Sequence, residues 1–271
     1  NKPSKMSFYP LSIVIKTLPC YSLYVFNTAI KQPYWSILMR IGVSTSCFYP
    51  METELSFQTL AEQGVEVCEV FFNTWSELEE PILRRLLKIK DEYAIHVPAV
   101  HPFFSFAEHY LLFSEYERRF YDALDLFEKY FEAAQALGAK ILIIHGAKAN
   151  TPVDDKLYFE RFAKLMERGK PYGVRVAQEN VVHYLSESPG FLAAMGEYIG
   201  DDFSVVLDIK QALRAGRCVN EYIETLPESI VHVHLSDYTP AKDCVPPGEG
   251  EFDFKQFFKR MEEIKYGGEY I

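Results

Sequence analysis

The sequence lacks the marks of a secreted, membrane-spanning or nucleic-acid-binding chain. Its five cysteines, Cys20, Cys47, Cys68, Cys218 and Cys244, fall at wide spacings with no Cys-x-x-Cys pair. That excludes a disulfide framework and a thiolate zinc knuckle, and it fits a reducing, cytoplasmic compartment. No apolar run is long enough to span a bilayer. No Gly-x-Gly-x-x-Gly turn follows a strand, and there is no Walker loop, internal repeat or low-complexity tract. The usual dinucleotide and phosphate cradles are therefore missing. Positive charge is scarce, with 28 Lys and Arg against 38 Asp and Glu and a formal net charge of -10. A phosphate-backbone binder normally presents a basic surface, so nucleic acid is disfavoured as a partner.

What is present is ordinary globular material, 48% hydrophobic and 24% charged over 271 residues, enough for one large domain or two small ones. The charge is uneven. Lys2, Lys5, Lys16 and Lys31 precede Met39, whereas the first acidic residue is Glu52. Residues 39 to 271 thus keep 24 of the 28 basic residues and all 38 acids, a balance of -14. The opening 38 residues mix Pro3, Pro10, Pro19 and Pro33 with aromatics and hold neither a helical nor a strand period. They are expected to be an extension outside the domain, with a natural start at Met39. A targeting segment is the lesser reading, because the apolar stretch beginning at Leu11 meets Lys16 after five residues. At the other end, Gly267-Gly268-Glu269-Tyr270-Ile271 reads as a turn entering a strand. The expectation is one domain over 39–271, truncated within its last strand and leaving two open strand edges.

Between these ends short apolar runs alternate with longer amphipathic stretches, the rhythm of parallel strands joined by helices. Strands are expected over 41–46, 65–71, 95–101, 140–145, 174–179, 203–208 and 230–235, with an eighth starting at Glu269. Helical patterns lie over 78–92, 115–137, 154–172, 189–199 and 253–264, several of them closed by glycines such as Gly138 and Gly173. Eight strand-helix units match one (β/α)8 TIM barrel, an α/β fold of roughly 250 residues. An open doubly wound sheet would normally carry a glycine turn after its first strand, which here reads Ser44-Thr45-Ser46-Cys47.

Barrel enzymes place their chemistry at the C-terminal ends of the strands. Those ends carry Glu69, His101, His145, Glu179, Asp208 and His234. A lone strand-end histidine is more often a hydrogen-bonded structural residue than a ligand. Six such groups on one rim are a different matter, since converging carboxylates repel unless a cation or shared protons hold them. A divalent metal is the economical solution, and carboxylates with imidazoles suit Mn2+, Mg2+, Co2+ or Zn2+ without choosing among them.

Gln178-Glu179-Asn180, Leu207-Asp208-Ile209-Lys210-Gln211, His232-Val233-His234-Leu235-Ser236-Asp237 and the run from Pro247 to Phe254 follow one another on successive strands. With Val100-His101-Pro102-Phe103 and Ile144-His145-Gly146, this ordered set resembles the sugar phosphate isomerase/epimerase family of the xylose isomerase-like barrel superfamily. The resemblance implies one divalent metal held by Glu179, Asp208 and His234, with a fourth ligand, a strand-eight Glu, expected beyond Ile271. Glu269 lies too close to its turn for that role. The resemblance also implies a sugar or sugar phosphate substrate and a cis-enediolate, with Glu179 as both ligand and base. His101, His145, Gln211, Glu69 and Lys242 are then the candidates for substrate contact, Lys242 for a phosphate and Glu69 equally for a partner that supports a metal ligand. Trp75 is a candidate apolar wall, and His232 is expected one layer deeper. Gln211 departs from the family, where many members place a His that can donate a proton as imidazolium.

Three alternatives stand beside this reading. One is an apurinic-site nuclease like endonuclease IV, disfavoured by Gln211 and by the absence of His between Ser236 and Phe252. The others are an inosose dehydratase-like lyase and a sugar-binding barrel without turnover. A homo-oligomer is left open.

Overall fold

Short, fully apolar segments such as Ile141-Leu142-Ile143-Ile144 are buried on both faces, the pattern of parallel strands covered by helices. In the computed structural model, which describes residues 39–271, they form a parallel sheet of seven strands in sequence order. These are β1 (Val43–Ser44), β2 (Cys68–Phe71), β3 (Ala99–His101), β4 (Ile141–Ile144), β5 (Arg175–Glu179), β6 (Val205–Asp208) and β7 (Ile230–His234). The extension expected over 1–38 lies outside the described residues.

Helices return the chain between strands: α1 (Thr53–Glu62), α2 (Glu80–Tyr93), the short α3 (Glu108–Leu111), α4 (Glu117–Leu137), α5 (Asp155–Gly169) and α6 (Pro189–Ile199). After β6 come α7 (Ile209–Arg214) and α8 (Val219–Thr225), and after β7 an antiparallel hairpin of β8 (Asp237–Thr239) and β9 (Lys242–Val245), then α9 (Phe254–Glu263). Local chemistry sets the boundaries. Asp154, Ser188 and Asp253 cap α5, α6 and α9 by accepting backbone N–H groups of the first turn, and Gly138 closes α4 in the left-handed region at φ 79°.

The ladder strands are shorter than the apolar runs in the sequence. In the first, the Thr45 hydroxyl takes over the pairing, accepting from Phe71 N at 2.9 Å while the chain turns into a 3-10 helix over Thr45–Phe48. The expected eighth strand is a single bridging residue: Tyr270 pairs in parallel with both Ile41 and Val233. Gly42 N donates to Tyr270 O at 2.7 Å, and Ile271 N donates to Val233 O at 2.9 Å. The two edges expected to be open are therefore each hydrogen-bonded to residues 269–271.

The larger core lies between sheet and helices, around Phe57, Leu86, Phe127, Phe131, Phe162 and Leu192. A second, small cluster of Ala99, Ile141, Ile143, Ala177 and Val206 forms a separate layer on the sheet. Because side chains alternate along a strand, the residue two positions further shares a face. Ala99 thus leads to His101, Ile143 to His145, Ala177 to Glu179 and Val206 to Asp208, which places these polar groups above the small cluster. Among the described residues no helix is long and apolar enough to cross a membrane.

Candidate active site

The tripeptide Gln178-Glu179-Asn180 works as a double stitch. Gln178 Nε2 donates to the carbonyls of Ile144 and His145 at 3.0 and 2.9 Å, tying β5 to the end of β4. Asn180 holds the Asp208 backbone from both sides, accepting from its N at 2.7 Å and donating to its O at 3.0 Å. Glu179, between them, is left to face the cavity. Asp208 uses Oδ1 to accept Gln211 N at 2.8 Å, which caps α7 and leaves Oδ2 toward His234 at 3.5 Å.

His234 stands among three carboxylates. Its Nε2 is 3.0 Å from Glu69 Oε2, and its Nδ1 lies 3.6 Å from Glu179 Oε1. Burial works against a charged imidazole here, but the Glu69, Asp208 and Glu179 carboxylates outweigh it and hold the ring well above the usual histidine range. The carboxylates answer in kind. Burial works to raise Glu69 and Glu179, and the imidazoles facing them more than offset it, so both are held well below the carboxylate range.

A second set forms at the ends of β3 and β4. His101 Nδ1 stands 3.0 Å from Pro102 O, and since a carbonyl only accepts, Nδ1 carries the proton and Nε2 keeps a lone pair in the neutral ring. That Nε2 faces His145 Nε2 at 3.0 Å. Glu179 Oε2 is 2.9 Å from His145 Nε2 and 3.6 Å from His101 Nε2, yet neither ring is oriented to hydrogen-bond it and the buried oxygen has no partner. Behind them Glu108 accepts Gly146 N at 2.6 Å, and burial pushes its carboxyl up to about 8. Gly146 has φ 89°, and a Cβ there would run into the Tyr158 hydroxyl, so only glycine suits this turn.

These groups floor a cavity of about 360 Å³, within the range of small-molecule sites. Phe48, Phe71, Pro246 and Pro247 give it an apolar wall. Asp237, 1% exposed, shapes the loop carrying the prolines: its carboxylate accepts Tyr238 N at 2.8 Å and the N–H groups of Gly248, Gly250 and Phe252, each at 2.9 Å.

The family model described as xylose isomerase-like TIM barrel matches residues 57–271. The chain belongs to the xylose isomerase-like TIM barrel family. Among relatives, Uncharacterized protein MJ1311 of Methanocaldococcus jannaschii is 23% identical over 252 residues, spanning 88% of this chain and 84% of that protein. Among solved structures, a D-tagatose 3-epimerase-like protein superposes with TM-score 0.74 at 22% identity, covering 86% of this chain and 89% of its own. An AP endonuclease, family 2, from Brucella melitensis superposes with TM-score 0.65 at 18% identity, covering 86% and 91%. At such identities the superpositions speak for the fold.

The donor atoms of this xylose isomerase-like barrel fit a divalent cation. Ligand atoms of Glu179, Asp208 and His234 all lie within 4.8 Å of one another, as do those of His101, His145 and Glu179 and those of Glu69, His232 and His234. Oxygen and imidazole donors of this kind suit Mg2+, Mn2+, Co2+ or Zn2+. The orphaned Glu179 Oε2 is the atom such an ion would satisfy.

Glu69, His101, His145, Glu179, Asp208, Gln211 and His234 all line the cavity. Glu69 does so with Oε2 already held by two imidazoles. Gln211 Oε1 accepts Val182 N at 3.3 Å, which leaves its amide as a donor. Lys242 and Trp75 are not among the lining residues. Lys242 instead borders a larger, more open depression of about 800 Å³ between α7 and the hairpin, which contains none of the clustered carboxylates or imidazoles. Glu269 pairs with His96 and Arg40 instead. The residue that the sequence reading passed over is Lys210. Among the described lining residues it is the sole lysine or arginine, and its ammonium stands 3.8 Å from Asp208 Oδ2. The signal available was its place two residues after a strand-ending Asp.

Proposed function

We propose that this barrel is a divalent-metal-dependent isomerase or epimerase of sugars or sugar phosphates, which moves a proton on and off a carbon beside a carbonyl. The observation that carries the reading is Glu179, a buried carboxylate at the floor of a ligand-sized cavity whose ligand atom lies within 4.8 Å of those of Asp208 and His234. Glu179, Asp208 and His234 would hold the cation. When bound, it supplies Lewis acidity to a substrate carbonyl and an adjacent hydroxyl.

The chain's own groups do the rest. Glu179 takes the carbon-bound proton, a general-base role worth roughly 10²- to 10⁴-fold in rate. Negative charge left on the substrate oxygens, as the enediolate forms, faces the Lys210 ammonium, the one lysine or arginine among the described lining residues. His101, His145 and the Gln211 amide orient hydroxyls, and the wall of Phe48, Phe71, Pro246 and Pro247 receives the C–H face of the sugar and excludes water from it.

One observation favours a second reading. The trio of His101, His145 and Glu179 shares a carboxylate with the first set, so the floor could hold two cations, as a phosphodiester-cleaving enzyme would use. Against it stand the balance of -14 over residues 39–271 and Gln211 where an imidazole would complete a third site.

Elemental mass spectrometry of the purified protein, followed by a ketose panel in D2O scored for deuterium at carbon, separates these readings. About one Mn, Mg, Co or Zn per chain with solvent deuterium entering the sugar is the expected outcome. Two or three zincs with cleavage of apurinic DNA would favour the nuclease, and a metal-free chain without exchange would sink both.

A further inference from the structure

The geometry points to Glu69 as the positioning residue of His234, a carboxylate reaching across from β2 that sets which ring nitrogen His234 turns toward Asp208 and Glu179. The inference rests on the metal-dependent reading above, and it gives Glu69 a task other than touching sugar.

Glu69 Oε2 lies 3.0 Å from His234 Nε2 and 3.1 Å from His232 Nε2, although 165 and 163 residues separate the partners. An ionised carboxylate can only accept, so in this arrangement both imidazoles carry their proton on Nε2. When the ring gives up its second proton, as it must to hold a cation, Nδ1 becomes the lone-pair nitrogen, and Nδ1 is the atom that faces Asp208 Oδ2 at 3.5 Å and Glu179 Oε1 at 3.6 Å. Were the ring flipped or its tautomer exchanged, an N–H would point where the cation belongs. A carboxylate on the far nitrogen of a ligating histidine is a general way of preventing this.

His232 explains why one carboxylate suffices. It sits two residues before His234 on the same face of β7 and is 0% exposed, so it cannot reach a ligand in the cavity. What it can do is hold Glu69 from the layer below. The two rings meet edge to face, with centroids 5.4 Å apart, and a single oxygen bridges their Nε2 atoms. Glu69 is itself 2% exposed, which leaves it little room to swing toward a substrate.

The test measures binding, not turnover: Mn2+ affinity of the full chain by competition with a chelator. Glu69→Gln is expected to weaken Mn2+ binding about 10- to 100-fold, and Glu69→Asp, whose carboxylate falls short of both rings, to lose less than Glu69→Gln. Long-range 1H–15N spectra of the metal-free protein, taken at a pH high enough for the His234 ring to be neutral, should show the Nε2–H tautomer in the parent and a mixture in Glu69→Gln. Unchanged Mn2+ affinity in Glu69→Gln with a raised KM for sugar would overturn the proposal and make Glu69 a substrate contact. If that variant does not fold, His232→Gln replaces it, with an expected loss of Mn2+ affinity smaller than that of Glu69→Gln; unchanged affinity there is equally fatal. A parent protein that binds no Mn2+ at all would instead overturn the metal-dependent reading on which the proposal stands.

Discussion

Two Glu–His pairs of nearly equal length stand at opposite ends of the barrel. At the end where strands begin, His96 Nε2 lies 3.1 Å from Glu269 Oε1, with side chains 43% and 15% exposed. At the end where strands finish, His145 Nε2 lies 2.9 Å from Glu179 Oε2, with side chains 20% and 3% exposed. Distance does not tell them apart. Glu269 is satisfied by an exposed His and an exposed Arg40 in a medium that screens both. Glu179 gathers three imidazoles at a buried oxygen pair, with a second carboxylate close by. Chemistry therefore resides in convergence under burial, and the presence of an acid beside a histidine says little by itself.

The comparison can be broken by substituting the two glutamates in turn. Glu179→Gln is expected to slow deuterium exchange into a ketose by about 10²- to 10⁴-fold, whereas Glu269→Gln should leave the exchange rate at the parent's value. Metal removal comes next in size. If the upper end binds a divalent ion, stripping it from protein held at about 100 times its Kd should cost ~2.7 kcal/mol, or roughly 5 to 10 °C in Tm for a domain of this size. A thermal melt with and without chelator checks this, and an unchanged Tm would remove the reason for the cluster.

Glu108 sharpens the contrast, since it is as buried as Glu179 but takes a backbone N–H and has no imidazole within ion-pair distance among the described residues. Burial pushes it up to about 8 from an ordinary 4.5. Between those values the folded chain binds the extra proton, so this group's contribution to stability falls as pH rises, by up to ~1.4 kcal/mol per pH unit. Urea melts at pH 6 and pH 7 should show stability falling with pH in the parent and a shallower fall in Glu108→Gln, in which the raised His234 ring still contributes. The smallest effect belongs to Glu269→Gln, at most ~1 kcal/mol in the same melts.

Much of this was legible in the sequence because strand-end chemistry is local. Glu179, Asp208 and His234 each close an apolar run, and the alternation that buries Ala177 and Val206 carries the next same-face residue to the rim. Helix ends marked by Gly138 or Pro189 were equally plain. What could not be read depends on parts distant in the chain. The partners of Glu69 lie on β7, far along the sequence, and no local pattern connects them. Lys210 faces the cavity because α7 starts immediately after Asp208, a turn fixed by one cap rather than by periodicity. Lys242 went astray for the opposite reason. The loop after β7 folds into a hairpin of three- and four-residue strands, too short to show a period, and its lysine faces the outer depression. Tyr270 needed both edges in place before its role as a bridge could be seen.

The clamp at Asp237 bears on how such a barrel could change its diet. One buried carboxylate holds four amides of the segment that carries Pro246 and Pro247 over the cavity, and two of those amides belong to glycines. Gly250 has no freedom, because a Cβ there would run into the carboxylate and the Tyr238 carbonyl. Pro246 and Pro247, which line the cavity, are not among the residues whose amides that carboxylate holds. The segment thus behaves as an interchangeable visor hung from three fixed pins, Asp237, Gly248 and Gly250, so new side chains can be tried against a ligand while the strands and the histidines beneath are left undisturbed.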